Sequence, residues 1–188
     1  MKSESWLSEL MRREIALAMF ALLLVLLWSV LSCAEIHKPD ALAGLAWLRS
    51  ALFDFDLYFG NEYKFLDQNP FQSYSTETGY CVNPLGVGTA ILQLPFYLLG
   101  FIGTYVHNFN SLNPLPYDGL NTMFRQAAGL GGAVYGAAAI LLSARIAACF
   151  ASKRTALWAA MLIAAGTPLL YYSSVGSLYQ HTAGAFLA

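Results

Sequence analysis

From Ile15 to Cys33 the chain runs nineteen residues without a charge. At a helical rise of about 1.5 Å per residue, that stretch matches the roughly 30 Å hydrocarbon core of a bilayer. It reads as a first transmembrane helix. A cleavable signal peptide fits less well, because its apolar region is shorter and ends at a small-x-small site, which Leu31-Ser32-Cys33-Ala34 matches only weakly. Further apolar stretches follow at Leu85 to Val106, Ala127 to Ala144, Ala156 to Tyr172 and Thr182 to Ala188. With 57% hydrophobic residues, 11% charged residues and a mean hydropathy of +0.52, the chain is expected to be an all-α integral membrane protein.

The charges sort along the chain. All eleven Asp and Glu fall at or before Asp118, and Arg125, Arg145, Lys153 and Arg154 follow it. Short loops rich in Lys and Arg stay in the cytoplasm. If Leu85 to Val106 crossed the membrane, Arg145, Lys153 and Arg154 would lie outside. If it does not cross, they join Lys2, Arg12 and Arg13 inside. Pro84, Gly86, Gly88, Gln93 and Pro95 crowd the first half of that segment, and irregular backbone facing lipid is not tolerated.

The expected path therefore has a cytoplasmic N-terminus at 1–14, a first span at 15–33 and a long non-cytoplasmic loop at 34–125. Two amphipathic or re-entrant juxtamembrane helices lie in that loop, near 40–52 and 85–106. A second span follows at 126–147, then a cytoplasmic turn at 148–154, a third span at 155–172 and an outer loop at 173–181. The last residues, 182–188, read as the start of a fourth helix in a truncated chain, because seven apolar residues cannot span.

Several residues of the outer loop are candidates for chemistry. The order Asp40, Ala41, Leu42, Leu45, Leu48, Leu52 gives a helical stripe with Arg49 off its apolar face. Asp40 falls at the N-cap position, where it would satisfy first-turn amides; alternatively it is a general base at the water–lipid boundary. Phe53 to Phe59 alternates with period two, placing Phe53, Phe55, Leu57 and Phe59 on one side and Asp54, Asp56 and Tyr58 on the other. Asp54, Asp56 and Glu62 offer oxygens to a divalent cation, or else form a solvated edge.

Lys64 either neutralises that acid or meets a phosphate. Arg125, at the outer mouth of the second span, either snorkels or pairs with an anion such as a phosphate. His181 is a proton carrier or an interfacial polar residue. Tyr171, Tyr172 and Tyr179 fit an aromatic belt. Cys33 and Cys81 either pair outside or remain small hydrophobes. His37 and His107 lack companions at metal spacing. No basic, aromatic-interleaved pattern points to nucleic acid and no phosphate loop to a nucleotide; Gly129 to Gly132 reads as close helix packing.

Taken in order, several motifs resemble the N-terminal part of polytopic GT-C glycosyltransferases, the class of protein O-mannosyltransferases and aminoarabinose transferases. They are Pro39-Asp40, Leu48-Arg49-Ser50, Phe53-Asp54-Phe55-Asp56-Leu57 with Asn61-Glu62-Tyr63, and Asn83-Pro84-Leu85-Gly86 leading into Gln93-Leu94-Pro95-Phe96-Tyr97-Leu98-Leu99-Gly100. Phe124-Arg125 and Thr167-Pro168-Leu169-Leu170-Tyr171-Tyr172-Ser173 complete the series.

The resemblance implies a polyprenyl-phosphate sugar donor, an acceptor glycan, lipid or protein, and transfer on the non-cytoplasmic face of a bacterial inner membrane. It implies that Asp40 is the catalytic base, that Arg125 contacts phosphate, and that the anomeric carbon is inverted. The chain departs from the pattern at Gln180-His181, where many relatives carry an acid, and at Asn83, where several carry a basic residue. The 188-residue piece alone is expected to be inactive. A different class, a non-catalytic membrane subunit whose loop binds a partner, predicts acids that point to separate surfaces. A transporter is disfavoured because no span carries an ionisable residue deep in its apolar core.

Overall fold

The computed structural model describes Ala16, Met19, Phe20, residues 22–29, Leu31, residues 39–64 and residues 75–188. The expected cytoplasmic tail at 1–14 and Cys33 lie outside these residues, whereas Cys81 carries a buried free thiol. Helices, turns and loops make up the described chain; its one β contact is an isolated bridge between Ser75 and Cys81. The all-α class expected from the sequence is what forms.

Residues 22–29 are helical. The further elements are α1 (Pro39–Arg49), which runs on into a π-helical turn (Ser50–Asp54), α2 (Gly60–Lys64), α3 (Gly88–Asn110), α4 (Thr122–Ala147), α5 (Lys153–Gly166), α6 (Leu169–Ser173) and α7 (His181–Leu187).

The longest helix, α4, is the axis on which the others pack, and its start is set by side chains that the sequence reading passed over. Asp118 Oδ1 accepts from the amides of Leu120 (2.9 Å) and Asn121 (2.8 Å), across Gly119 at φ +77°. Asn121 then caps the helix, accepting from the amides of Met123 (2.8 Å) and Phe124 (3.3 Å). The helix therefore begins at Thr122, ahead of the expected Gln126, and Arg125 sits in its first turn. Its end at Ala147 falls where the sequence placed it.

Three neighbours fix how α4 is used. Gln126 Nε2 donates to the Leu31 carbonyl at 2.9 Å, and Leu26 packs on Ala133, so the N-terminal helical segment runs antiparallel to α4. Helix α3 is antiparallel as well: Tyr135 Oη donates to the Leu92 carbonyl (2.8 Å), the Phe101 and Phe124 rings meet at 4.8 Å, and Thr104 lies by Asn121. Its contacts run from Asn121 to Tyr135, about the first half of α4. The second half is covered by α5, through Ile140 against Ala160 and Ala164.

Both α3 and α4 are long and apolar enough to cross a membrane. The segment expected as an interfacial or re-entrant juxtamembrane helix pair is one unbroken helix, Gly88–Asn110. Pro84 and Gly86 fall in the lead-in, Gly88 is the first residue of the helix, and Pro95, which cannot donate to the residue 91 carbonyl, lies with Ile91 on the exposed face. The expected third span is broken. Thr167 is extended (φ −120°, ψ 166°), as a residue before proline tends to be, so α5 stops at Gly166 and α6 restarts after Pro168.

Helix α1 departs furthest from expectation. A helix resting on a membrane surface would bury one stripe, but Ala41, Leu42, Ala43, Leu45, Ala46 and Leu48 are all 6% exposed or less. A helix covered on all sides is a core helix. Trp47 Nε1 donates to the Leu85 carbonyl (2.8 Å) and Asn83 Nδ2 to the Ala43 carbonyl (2.7 Å), tying α1 to the start of α3. Asn83 is thus a structural tie, whose Oδ1 also accepts from the Leu85 amide (3.0 Å).

Candidate functional site

The two ends of α1 carry two different polar groups. At its C-terminal end, Arg49 leads into the wider π-helical turn, which brings Asp54, five residues on, back to the guanidinium. Arg49 Nη1 donates to Asp54 Oδ2 at 2.5 Å and to Glu62 Oε1 at 2.6 Å, and Nε donates to the Asp118 carbonyl at 2.9 Å. Asn61 Nδ2 also donates to Asp54 Oδ2. One arginine thus joins α1, α2 and the loop that starts α4.

Glu62 is fully buried, and its Oε2 has no hydrogen-bond partner among the described residues. Burial pushes its carboxyl up from the usual carboxylate range to about 7, against the opposing pull of Arg49. Burial also pushes the Cys81 thiol up, with Glu62 adding to the shift.

A pH dependence follows from Glu62. The folded protein binds this proton more tightly than the unfolded chain does, so the stability Glu62 contributes is complete below about pH 4.5 and is lost as pH rises through 7. In detergent solution, the unfolding midpoint of the Glu62→Gln variant should vary less than wild type's between those limits, with wild type falling relative to the variant. Parallel curves would contradict this.

The acids do not gather as a cation site. Asp56 turns away, its Oδ1 accepting from Ser50 Oγ (2.8 Å) and from the Tyr58 amide (3.2 Å). Among the described residues no group of three or more His, Cys, Asp or Glu is placed to hold a metal ion. The period-two reading also fails here. Phe55 is in the left-handed region at φ 56°, which rotates the alternation out of register: Phe53 and Phe59 pack inward while Phe55 (85% exposed) and Leu57 face out.

At the other end of α1, the helix starts at Pro39, so Asp40 lies in the first turn and is not the N-cap expected from the sequence. Proline suits the first helical position, and an acid there is favoured by the helix dipole. Asp40 is exposed. One turn further on, Gly44 faces the 178–180 segment, where a Cβ would stand 3.3 Å from Gln180 Nε2.

That segment carries an aromatic cluster. The Tyr172 ring lies 4.2 Å from His181 and 5.5 Å from Tyr179, and Tyr171 lies 5.2 Å from Tyr172. The Tyr179 hydroxyl is pushed up by burial first, then by Tyr171, Asp40 and Tyr172, which places Asp40 within electrostatic reach of the cluster. Asp40 and exposed His181 therefore share one end of the fold.

The remaining candidates stand apart. Lys64 is exposed in the last turn of α2. Arg125 Nη2 donates to Thr122 Oγ1 at 3.3 Å, its buried Nε lacks a partner among the described residues, and so does its charge, with no carboxylate against it. Sequence reasoning missed Arg49 as an organising residue. The signal available was a lone arginine in an apolar helix five residues before an aspartate. The tyrosines were read as a membrane belt, and their stacking on His181 depends on the non-helical segment after α6, which sets Tyr179 and His181 against Tyr172.

Comparison of the chain with models of known families, with curated proteins and with solved structures gave no match.

Proposed function

We propose that this chain belongs to an inverting membrane glycosyltransferase of the GT-C type, which takes a sugar from a polyprenyl-phosphate donor on the non-cytoplasmic face of a bacterial inner membrane. The observation that carries the reading is the placement of Asp40. Asp54 and Glu62 are committed to Arg49 and Asp56 to a turn, whereas Asp40 is exposed and within electrostatic reach of the Tyr179 hydroxyl. An exposed carboxylate without a hydrogen-bond or ion-pair partner among the described residues, near an aromatic cluster, is suited to taking a proton from an acceptor hydroxyl.

In this reading α4 crosses the bilayer and α1, α3 and residues 173–181 collect along its outer half. The N-terminus and the Lys153-Arg154 turn are cytoplasmic. The support is that α3 accompanies only the first half of α4, with exposed apolar side chains such as Ile102, Tyr105 and Phe109 available to lipid. Asp40 accepts the proton of the acceptor hydroxyl as its oxygen attacks the anomeric carbon. The bond from that carbon to the phosphate oxygen breaks, and the departing lipid phosphate takes the electron pair. Arg125, with no carboxylate against it among the described residues, and Lys64 are the cations offered to that phosphate.

The test is transfer from a radiolabelled polyprenyl-phosphate sugar in membranes carrying the product of the complete gene, because the 188-residue piece alone is expected to be inactive. Asp40→Asn should lower the rate by at least about 10²-fold, the usual lower bound for loss of a general base, while costing no more than the roughly 0.3–1 kcal/mol that a first-turn acid contributes to stability. Undiminished transfer would remove Asp40 from the chemistry. A second reading, a non-catalytic subunit whose outer loop binds a partner, is favoured by the position of Asp54 and Glu62 at the opposite end of α1 from Asp40. It predicts no transfer by either protein.

A further inference from the structure

After Asp118 the chain carries no carboxylate, yet Arg145, Lys153 and Arg154 gather around a single turn. Arg145 lies in the last turn of α4, and residues 148–152 lead to Lys153 and Arg154, the first two residues of α5. The turn is tightly built. The amides of Ala148 and Ala151 donate to the carbonyls of Ala144 and Ala147, each at 3.0 Å, and Ser152 Oγ accepts from the Thr155 amide at 3.2 Å. Helices α4 and α5 then pack side by side, Ile140 and Ala144 against Ala160, so the three cations share one end of a helix pair.

All three residues are exposed, and no carboxylate among the described residues lies against any of them. The dipole of α5 adds to the imbalance, because a helix start favours acids over bases. Compensation of this charge falls to an anion from outside the described chain.

The exposed apolar side chains beside the cations say what kind of anion fits. On α5, Arg154, Trp158 and Leu162 recur every four residues and line one helix face, Trp158 being 57% and Leu162 69% exposed. That stripe runs about 12 Å along the helix from the cation. On α4, exposed Leu141 stands one turn from Arg145 on the same face, again leading away from the charged end. Exposed Phe150 sits in the turn itself. Inorganic phosphate would engage only the cations, and an acidic soluble protein would leave the apolar stripe wet. A molecule with an anionic head and long apolar tails matches both halves of the pattern.

We propose that the α4–α5 turn binds an anionic phospholipid of the cytoplasmic leaflet. Its headgroup phosphate lies among Arg145, Lys153 and Arg154, and its acyl chains run along Trp158 and Leu162 of α5 and Leu141 of α4. This rests on the membrane placement of α4 in the reading above, and not on sugar transfer, whose residues lie toward the other end of α4.

The test uses the complete gene product, purified in a neutral detergent and titrated with dioleoyl phosphatidylglycerol or dioleoyl phosphatidylcholine. The anionic lipid should raise the thermal midpoint in a saturable way, at a concentration at least about tenfold lower than the neutral lipid requires. A basic residue near an anionic surface is worth roughly fivefold in affinity, so Lys153→Gln/Arg154→Gln should weaken the response roughly 25-fold. Lys153→Arg/Arg154→Lys, which keeps both charges, should retain it. A second measurement reads the place of binding without a charge variant. The emission of Trp158, taken as wild type minus Trp158→Phe, should be quenched more by brominated phosphatidylglycerol in vesicles than by the same fraction of brominated phosphatidylcholine.

Equal responses to the two lipids would overturn the proposal, as would an unweakened preference in the glutamine variant. So would a midpoint raised as far by inorganic phosphate, or a Trp158 that neither brominated lipid quenches, the mark of a stripe covered by protein. A preference for phosphatidylglycerol in a protein showing no transfer would sink the enzyme reading and leave the lipid surface standing. Transfer without that preference would do the reverse.

Discussion

Arg49→Met should destabilise the protein by about 3–5 kcal/mol at pH 8, the cost typical of removing one partner from a buried ion pair. The guanidinium supplies the described partner of Glu62 Oε1, and without it a fully buried carboxylate is left with an unpaired Oε2 and the Asp54 carboxyl close by, with no cation between them. It also closes Asp54 and the Asp118 carbonyl, so α2 and the lead-in to α4 lose their link to α1 together. Methionine retains most of the aliphatic volume, which keeps the effect electrostatic.

Two signatures separate this from general damage. The loss should shrink as pH falls below 7, where Glu62 takes up a proton, and the double variant Arg49→Met/Glu62→Gln should recover much of the stability, since no buried charge is then left alone. Thermal unfolding in detergent measures both. A loss below about 1 kcal/mol, typical of an exposed pair, would show that the cluster is solvent-screened.

What was legible in the sequence is what depends on composition and local pattern. The uncharged runs gave α3 and α4, the end of α4 falls at Ala147 as expected, and the small residues of 129–132 do permit a close approach. The break at Pro168 was also within reach, because Thr167 precedes a proline. The N-cap of α4 was missed for a simple reason. Arg125 was taken as the edge of the apolar run, although Asp118-Gly119 and Asn121 carry the turn and cap signals four to seven residues earlier.

Other features were beyond local reading. The leucine stripe of α1 predicted one buried face, but Ala41, Ala43 and Ala46 are buried as well, against a helix and a loop from distant parts of the chain. Nothing in an eleven-residue window can report those partners. Period-two alternation at Phe53 to Phe59 presumed an extended backbone, and a left-handed residue at Phe55 cancels it. Likewise the role of Arg49 exists only because residues 62 and 118 arrive beside it. For the candidate site, Asp40 and His181 were named separately, and their common neighbourhood depends on the packing of residues 173–181 on α1 and α4.

That packing supplies the other large effect. Gly132→Val should disrupt the fold of the 173–182 segment, because a Cβ at this position collides with the Ser177 carbonyl and crowds its Cα at 3.1 Å. The obstacle is backbone, which cannot rotate aside as a side chain would. Replacing a helical glycine usually adds up to about 1 kcal/mol of stability, so a net loss here means that the steric term exceeds that gain. Even Gly132→Ala should lose about 2 kcal/mol, and Gly132→Val more.

Gly184, with open space where its Cβ would be, serves as the control, and Gly184→Ala should be neutral or stabilising. The consequence for function is specific. Pushing Ser177 away from α4 moves Tyr179, Gln180 and His181 together and so separates Asp40 from the aromatic cluster, while the Arg49 group at the far end of α1 stays intact. Gly132→Ala should therefore impair transfer by the complete gene product but preserve the pH dependence due to Glu62. If Gly132→Ala were as stable as Gly184→Ala, the contact between α4 and the 177 backbone would be wrong, and with it the neighbourhood assigned to Asp40.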